Sequence, residues 1–375
     1  MISEKEGFQS TLLKYGGLSY FETRFSLSNT LISLKLPHQL KLILLSHLTK
    51  RSERKITLKD IQEAQTRIQH VVYETPILQS EQLSKLCGNQ LFLKAEHLQK
   101  TGSFKIRGAS NMGIHAIENG AQYITTASSG NHGQAVAYVA NRYGIPSTIV
   151  VPENASQCKI NAITGYNGQV EKCGTTSSER LPRAQQIATE QNGVYIPPYD
   201  DPLIMAGQGT VGLEILQQLS NIDAIVVPIG GGGLISGILT AVKETNPAIQ
   251  IIGDEPELAN DTYLSLQNKK IMPIPATNTM ADGLRTNQPG DLTFPVLTKY
   301  LDDLVLVSEA EIRMAFSIVL ERTKQLIEPS SATTIAAALY GNLNLQGKNI
   351  VTLISGGNVD IENMHQLIMD TAAFS

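Results

Sequence analysis

Cysteine is scarce in this chain. Its 375 residues hold three, Cys87, Cys158 and Cys173. They lie far apart, in neither a CxxC pair nor a zinc-ligand spacing, which excludes a disulfide framework and points to free thiols in a reducing compartment. No run of about 18 apolar residues occurs, so no segment reads as a membrane-spanning helix. There is no basic block either: the net charge is −4 and the isoelectric point near 6.0, which argues against nucleic acid or an anionic membrane as a main partner. Internal repeats and low-complexity tracts are also missing. With 42% apolar and 17% charged residues, the chain reads as globular and cytoplasmic, and as long enough for two domains.

Only the N-terminus departs from this pattern. The run "TLISLKLPHQLKLILLSHLTKRSERK" is basic and partly amphipathic, as transit peptides are. Glu4, Glu6 and Glu22 lie upstream of it, where such peptides avoid acids. Residues 1–50 therefore read as an extension of unknown role.

From Thr57 onward, short apolar strands alternate with helical spacing. "QLFLKAE" precedes the helical "FKIRGASNMGIHAIENG", "QYITTAS" precedes "QAVAYVANRYG", and "DAIVVPI" precedes "GGGGLISGILTAVKE". This rhythm predicts parallel sheets covered on both faces, an α/β fold with functional loops at the carboxyl ends of strands.

Three loops carry chemistry. "ASSGNHGQ" (Ala127 to Gln134) sets several backbone N–H groups at a helix start, suited to a carboxylate or simply a capped helix. "IGGGGLISG" (Ile229 to Gly237) lets bare backbone approach a phosphate. Gly231, Gly233 and Asp254 also half-fit a dinucleotide fingerprint, but Ser236 occupies its third glycine position. The third loop is "KTGSFKIRGAS", in which Lys105 sits among small residues beside Phe104. An ordinary lysine is protonated at neutral pH and becomes useful when desolvated and joined to a carbonyl. Phosphate loop, isolated lysine and anion loop together specify pyridoxal phosphate with an amino-acid substrate. Ser355, in "NIVTLISGGNVD", supplies a neutral hydroxyl for the pyridine nitrogen. A neutral partner leaves carbanion charge nearer Cα and so suits β-elimination or racemisation.

"KTGSFKIRGA", "SSGNHGQA", "AGQGTVGLE", "VPIGGGGLISG" and "ISGGNVD", in this order, resemble the fold-type II pyridoxal-phosphate enzymes, and within them the threonine/serine dehydratases and serine racemases. The resemblance spans Thr57 to the C-terminus. It implies two open, twisted, mostly parallel sheets flanked by helices, as in the tryptophan synthase β chain, with a large domain from residues 51–121 and 199–375 and a small one from 122–198. It implies a homodimer acting on a small hydroxy amino acid. Lys105 would carry the cofactor and Phe104 pack beside its ring. Asn131 would meet its phenolic oxygen, Gly230, Gly231, Gly232, Gly233 and Leu234 its phosphate, and Ser355 its ring nitrogen. Ser128, Ser129, Gly130 and His132 would hold the substrate carboxylate.

Ser129 matches the serine that returns a proton in serine racemases, and Arg180, otherwise a solvated helix residue, falls where that branch has a substrate-side arginine. "YIPPYDDP" leans towards dehydratases, with Tyr199 where mammalian-type racemases have asparagine. "EPSSATT" departs from the usual "EPAGA" or "EPTAG", which leaves the surroundings of Glu328 open. The expectation is a threonine/serine dehydratase releasing 2-oxobutanoate or pyruvate with ammonia, and serine racemase as the alternative. Only 15 residues follow Asp360, so no regulatory domain of the biosynthetic threonine dehydratases is expected.

"GDEPELANDTY" places Glu255 and Asp261 in one acidic loop after a strand, either solvated or suited to a hard cation. The resemblance adds the Ala259 carbonyl and implies a structural magnesium, calcium or manganese ion. His97 and His115 read as surface or core residues, and "ADGL" (Ala281 to Leu284) as a loop lining the substrate side.

Overall fold

The computed structural model describes residues 55–341 and 343–368. The extension of residues 1–50 lies outside them. The chain divides into two compact units, one built mainly from Gly113–Ser129 and Val136–Pro197, the other from Ile56–Met112, Gly130–Ala135 and the chain from Pro198 onward.

The larger unit holds a six-stranded sheet. Its strands are β1 (Ile77–Gln79), β2 (Gln90–Ala95), β7 (Ala224–Pro228), β8 (Gln250–Pro256), β9 (Asp303–Val307) and β10 (Asn349–Ile354). They lie in the order β1-β2-β10-β7-β8-β9, parallel except for the β1–β2 pair at one edge. The central strands are near-continuous Val/Ile/Leu runs because both faces are covered. One face packs Ile252, Ile350 and Ile354 with Phe316, Ile335 and Ala336. The other packs Ile225, Val227, Ile251 and Val351 with Ile235, Ile238 and Leu297.

Its helices are α1 (Leu58–Ile68), α2 (Glu81–Cys87), the start of α3 (Lys105–Glu118), the start of α4 (Asn131–Arg142), α7 (Pro202–Gln218), α8 (Gly233–Lys243), α9 (Asp261–Asn268), α10 (Thr293–Tyr300), α11 (Glu309–Thr323) and α12 (Pro329–Tyr340). Several starts are written in local chemistry. Thr57 with Asp60, and Ser308 with Glu311, form reciprocal capping boxes. Asp201 caps α7 with Pro202 at its first position.

The smaller unit holds a parallel four-stranded sheet in the order β5-β4-β3-β6, from β3 (Ile124–Ala127), β4 (Ser147–Val151), β5 (Gln169–Lys172) and β6 (Val194–Tyr195). The rest of α3 and α4, with α5 (Gln157–Thr164) and α6 (Ser177–Glu190), belong to it. Tyr123, Val150, Ala184 and Ile187 form a small core there.

The motif "AGQGTVGLE" forms the middle of α7, although three glycines in one helix cost local stability. Tertiary packing overrides that cost. A Cβ on Gly209 would stand 2.8 Å from the Gly237 carbonyl of α8, and one on Gly237 would stand 2.3 Å from the Met205 carbonyl. Glycine is what lets α7 and α8 meet backbone to backbone.

Two local expectations need correction. Lys105 is not within a turn: the turn ends at Phe104, and Lys105 is the first residue of α3. Glu255 and Asp261 do not share a loop, since Glu255 belongs to β8 and Asp261 opens α9. Both Glu255 oxygens accept backbone N–H bonds, from Thr262 at 3.0 Å and Tyr263 at 2.8 Å, so this acid anchors a helix start that polar spacing does not announce.

Candidate active site

β10 and the turn before α3 are tied by backbone. Phe104 donates its N–H to the Ser355 carbonyl (3.0 Å), and Ser103 bridges Gly356 in antiparallel fashion. Lys105 and Ser355 are thereby brought to one sheet end by main-chain geometry. The Lys105 ammonium donates to the Pro198 carbonyl at 2.8 Å and lies 5.2 Å from the Phe104 ring centre. Burial pushes its pKa down to about 8, with Glu328 pulling the other way. Such a lysine yields its proton far more readily than one in water.

Arg107, two residues further along α3, is fixed by a buried charge cluster. Its guanidinium meets both oxygens of Glu96, at 2.7 Å each, and both oxygens of Glu214, at 2.6 and 2.9 Å. Lys94 adds a 2.7 Å contact to Glu214. The first turn of α3 is therefore clamped to the turn that follows β2 and to α7.

The four glycines follow β7. Gly232 has φ +87° and caps α8, whose first N–H groups have no intrahelical acceptor. A Cβ on Gly231 would stand 2.4 Å from the Tyr199 ring. The Tyr199 ring thus closes one side of the loop, and only bare backbone fits beneath it. Leu234 is buried in the first turn of α8.

Ser355 is buried, its hydroxyl 3.0 Å from that of Ser331, and neither carries charge. Asn131 opens α4. Its amide nitrogen stands 2.9 Å from each oxygen of Glu328, and its carbonyl accepts from Asn358 at 2.7 Å. Burial, followed by the charge of Asp282, raises the Glu328 pKa to about 8.

A glycine loop by itself could serve a dinucleotide, but Asp254 removes that option. It is wholly buried, so it cannot reach a ribose. A sequence profile described as "Pyridoxal-phosphate dependent enzyme" matches residues 68–356. The chain belongs to that family. Its fold-type II branch includes the relatives found. An L-threonine ammonia-lyase of Geobacter sulfurreducens is 43% identical over 310 residues, covering 82% of this chain and 77% of that one. A serine racemase of Dictyostelium discoideum is 43% identical over 319 residues, covering 84% and 98%. The solved structure of maize serine racemase superposes with a TM-score of 0.80 at 39% identity, over 84% and 97% of the two chains.

The residues present fit the family's cofactor: a bare-backbone loop at a helix start for a phosphate, a desolvated amine, and a neutral hydroxyl for a ring nitrogen. Phe104, Lys105, Asn131, Gly230, Gly231, Gly232, Gly233, Leu234 and Ser355 all belong to the larger unit, as do Gly130 and the buried His132. Ser128 and Ser129 follow the carboxyl end of β3 in the smaller unit, and Arg180 lies on α6 there. Arg180 is partly buried, with Nη2 donating to Ser177 at 3.2 Å and with Nε and Nη1 lacking a hydrogen-bond partner.

For the cation, both Asp261 oxygens are buried without a hydrogen-bond partner, and the charge of Asp261, after burial, helps hold Glu255 well above the usual carboxylate range. Two adjacent buried carboxylates fit a hard divalent ion. Among the described residues no group of three or more His, Cys, Asp or Glu side chains gathers as a metal centre, and no helix is long and apolar enough to cross a membrane. His97 is buried and paired with Gln325 at 2.8 Å.

Sequence reading gave no site role to Glu328, Ser331 or the turn Pro198–Asp201. The signal for the first two was the unusual "EPSSATT" run, with an acid just before a helix of small polar residues. The Pro198–Asp201 turn was singled out only through its likeness to dehydratases at Tyr199, which says nothing of what Pro198 and Asp200 hold.

Proposed function

We propose that the chain is an L-threonine/L-serine dehydratase releasing 2-oxobutanoate or pyruvate and ammonia. The supporting observation is the pairing, at one sheet end, of the desolvated Lys105 amine with the uncharged Ser355 hydroxyl. When bound, pyridoxal phosphate supplies an aldehyde that takes up amines and a ring that draws electron density from Cα. Lys105 then serves as the base that takes the proton from Cα, which its lowered pKa permits near neutral pH. Ser355, being neutral, leaves negative charge near Cα, where it expels the β-hydroxyl. Loss of that proton and hydroxyl removes water. Water then re-enters on hydrolysis, so the balance is substrate to 2-oxo acid plus ammonia.

The glycine loop and α8 N-terminus hold the phosphate in this reading, Asn131 the phenolic oxygen, and Ser128, Ser129, Gly130 and His132 the substrate carboxylate. Glu255, Asp261 and the Ala259 carbonyl bind a structural magnesium, calcium or manganese ion.

Serine racemisation is the second reading. Ser129 favours it, offering a hydroxyl of the kind that returns a proton to Cα in serine racemases, and the unpartnered nitrogens of Arg180 would suit a substrate carboxylate. Purified protein should be yellow, and Lys105→Ala should lose both the colour and 2-oxo acid release from serine and threonine. A wild type that stays colourless with added cofactor would overturn the assignment. Ser129→Ala should cut racemisation far more than elimination; equal loss of both would remove the second reading.

A further inference from the structure

The turn Pro198–Asp201 touches Lys105, the glycine loop and the start of α7. Pro198 accepts from the Lys105 ammonium, Tyr199 lies on Gly231 and Gly233, and Asp201 caps α7, with Leu203 N–H at 2.7 Å. Asp200 has the least expected role. Its carboxylate collects three consecutive backbone N–H groups, from Asp291 (3.1 Å), Leu292 (2.9 Å) and Thr293 (3.3 Å). A Cβ on Gly290 would stand 2.1 Å from its Oδ1.

That bracket holds Thr293, which in turn holds the glycine loop. The wholly buried Thr293 hydroxyl donates to the Gly231 carbonyl at 2.8 Å, and Gly290 N–H reaches the same carbonyl at 3.2 Å. Ser236, one turn into α8, donates to the Thr293 carbonyl at 3.3 Å. A Cβ on Gly232 would stand 2.8 Å from the Thr293 hydroxyl. The carbonyl of Gly231 is therefore pulled to one side of the loop. Because each peptide unit is planar, the N–H that shares that unit, Gly232's, is aimed the opposite way. A glycine loop has no side chains to fix its own orientation, so an outside fastening is needed.

We infer that Asp200 and Thr293 are positioning residues for the phosphate-binding loop, acting through the Gly231 carbonyl and not by touching the cofactor. Asp200 supplies the anchor and Thr293 transmits it. The ligand affected is the phosphate ester alone; the aldehyde and ring contacts at Lys105 and Ser355 do not pass through this relay. The inference rests on reading the glycine loop as the phosphate seat.

The test measures the rate at which holoenzyme loses its cofactor after dilution, read from visible absorbance, with the phosphorus NMR resonance of the bound phosphate alongside. Losing one such hydrogen bond should speed release about tenfold in Thr293→Val, with Thr293→Ser staying within about twofold of wild type. Asp200→Asn should behave like Thr293→Val, since its amide group sets a donor against a backbone N–H. Pyridoxal, which lacks the phosphate, should bind all variants with the affinity of wild type. Unchanged release in Thr293→Val and Asp200→Asn would overturn the inference, as would an equal loss of pyridoxal affinity. If Asp200→Asn does not fold, the Thr293 pair decides alone. Gly232→Ala separates the two layers: normal cofactor retention there rejects the loop as the phosphate seat, whereas fast release there with unchanged Thr293→Val rejects only the relay.

Discussion

The amide nitrogen of Asn131 lies 2.9 Å from both carboxyl oxygens of Glu328. An amide at the start of α4 and an acid just before α12 thereby share one polar contact inside the larger unit. The arrangement orients Asn131, because its carbonyl is held from the other side by Asn358, which also donates to the Thr101 carbonyl at 2.8 Å.

Glu328 should leave a pH signature in the cofactor-free protein. Its folded-state pKa, about 8, stands above its ordinary value of about 4.3. The folded state retains the proton where the unfolded state has lost it, so the contribution to stability is complete below the ordinary pKa and disappears as pH rises through about 8. Glu328→Gln removes that dependence. Its thermal midpoint should gain on wild type steadily between about pH 5 and pH 8; a constant difference across that range would contradict the assignment.

Gly231→Ala tests the Tyr199 lid over the loop. The new methyl would lie 2.4 Å from the ring, so either the ring or the loop must move, at a cost of about 1–3 kcal/mol. We expect a folded protein with weakened cofactor retention, partly restored by adding Tyr199→Ala. Strict additivity of the two changes would show that the contact carries no coupling.

Arg107 holds two buried carboxylates at once. Arg107→Met leaves Glu96 and Glu214 without that partner and should cost about 3–5 kcal/mol, read by denaturant unfolding. Arg107→Lys keeps the charge but loses the forked geometry and should recover only part of that loss. An Arg107→Met protein as stable as wild type would mean that the cluster contributes nothing net.

A chelator should lower the melting temperature if Glu255, Ala259 and Asp261 hold a divalent ion, and magnesium or calcium should restore it. Asp261→Asn should abolish the response. Protein that was never metal-free and shows no shift in a long incubation with chelator would argue against the site.

Much of the site can be read in the sequence because it is built from local chemistry. "SFK", "SGNHG" and "GGGG" state donors, a lysine and bare backbone within a few residues, and the sheet rhythm puts them at strand ends. The same reading missed α2, α7, α9, α10 and α12. Of these, α7 and α12 are rich in glycine, serine or threonine and buried along most of their length, so packing supports helices that local propensity does not announce. Likewise, Glu255 and Asp261 are six apart in the sequence and look like one acidic loop, but Glu255 belongs to the end of β8 and Asp261 to the start of α9.

The order of residues along the chain was enough to determine the fold class and the cofactor chemistry, because a phosphate seat, a reactive amine and a neutral ring partner each need particular residue types in short runs. Tertiary structure alone decided which distant groups act on them. Glu328 reaches Asn131 across 197 positions and Thr293 reaches Gly231 across 62. Both contacts depend on burial and on how strands and helices stack in space, and neither distance nor desolvation can be read from spacing along a chain.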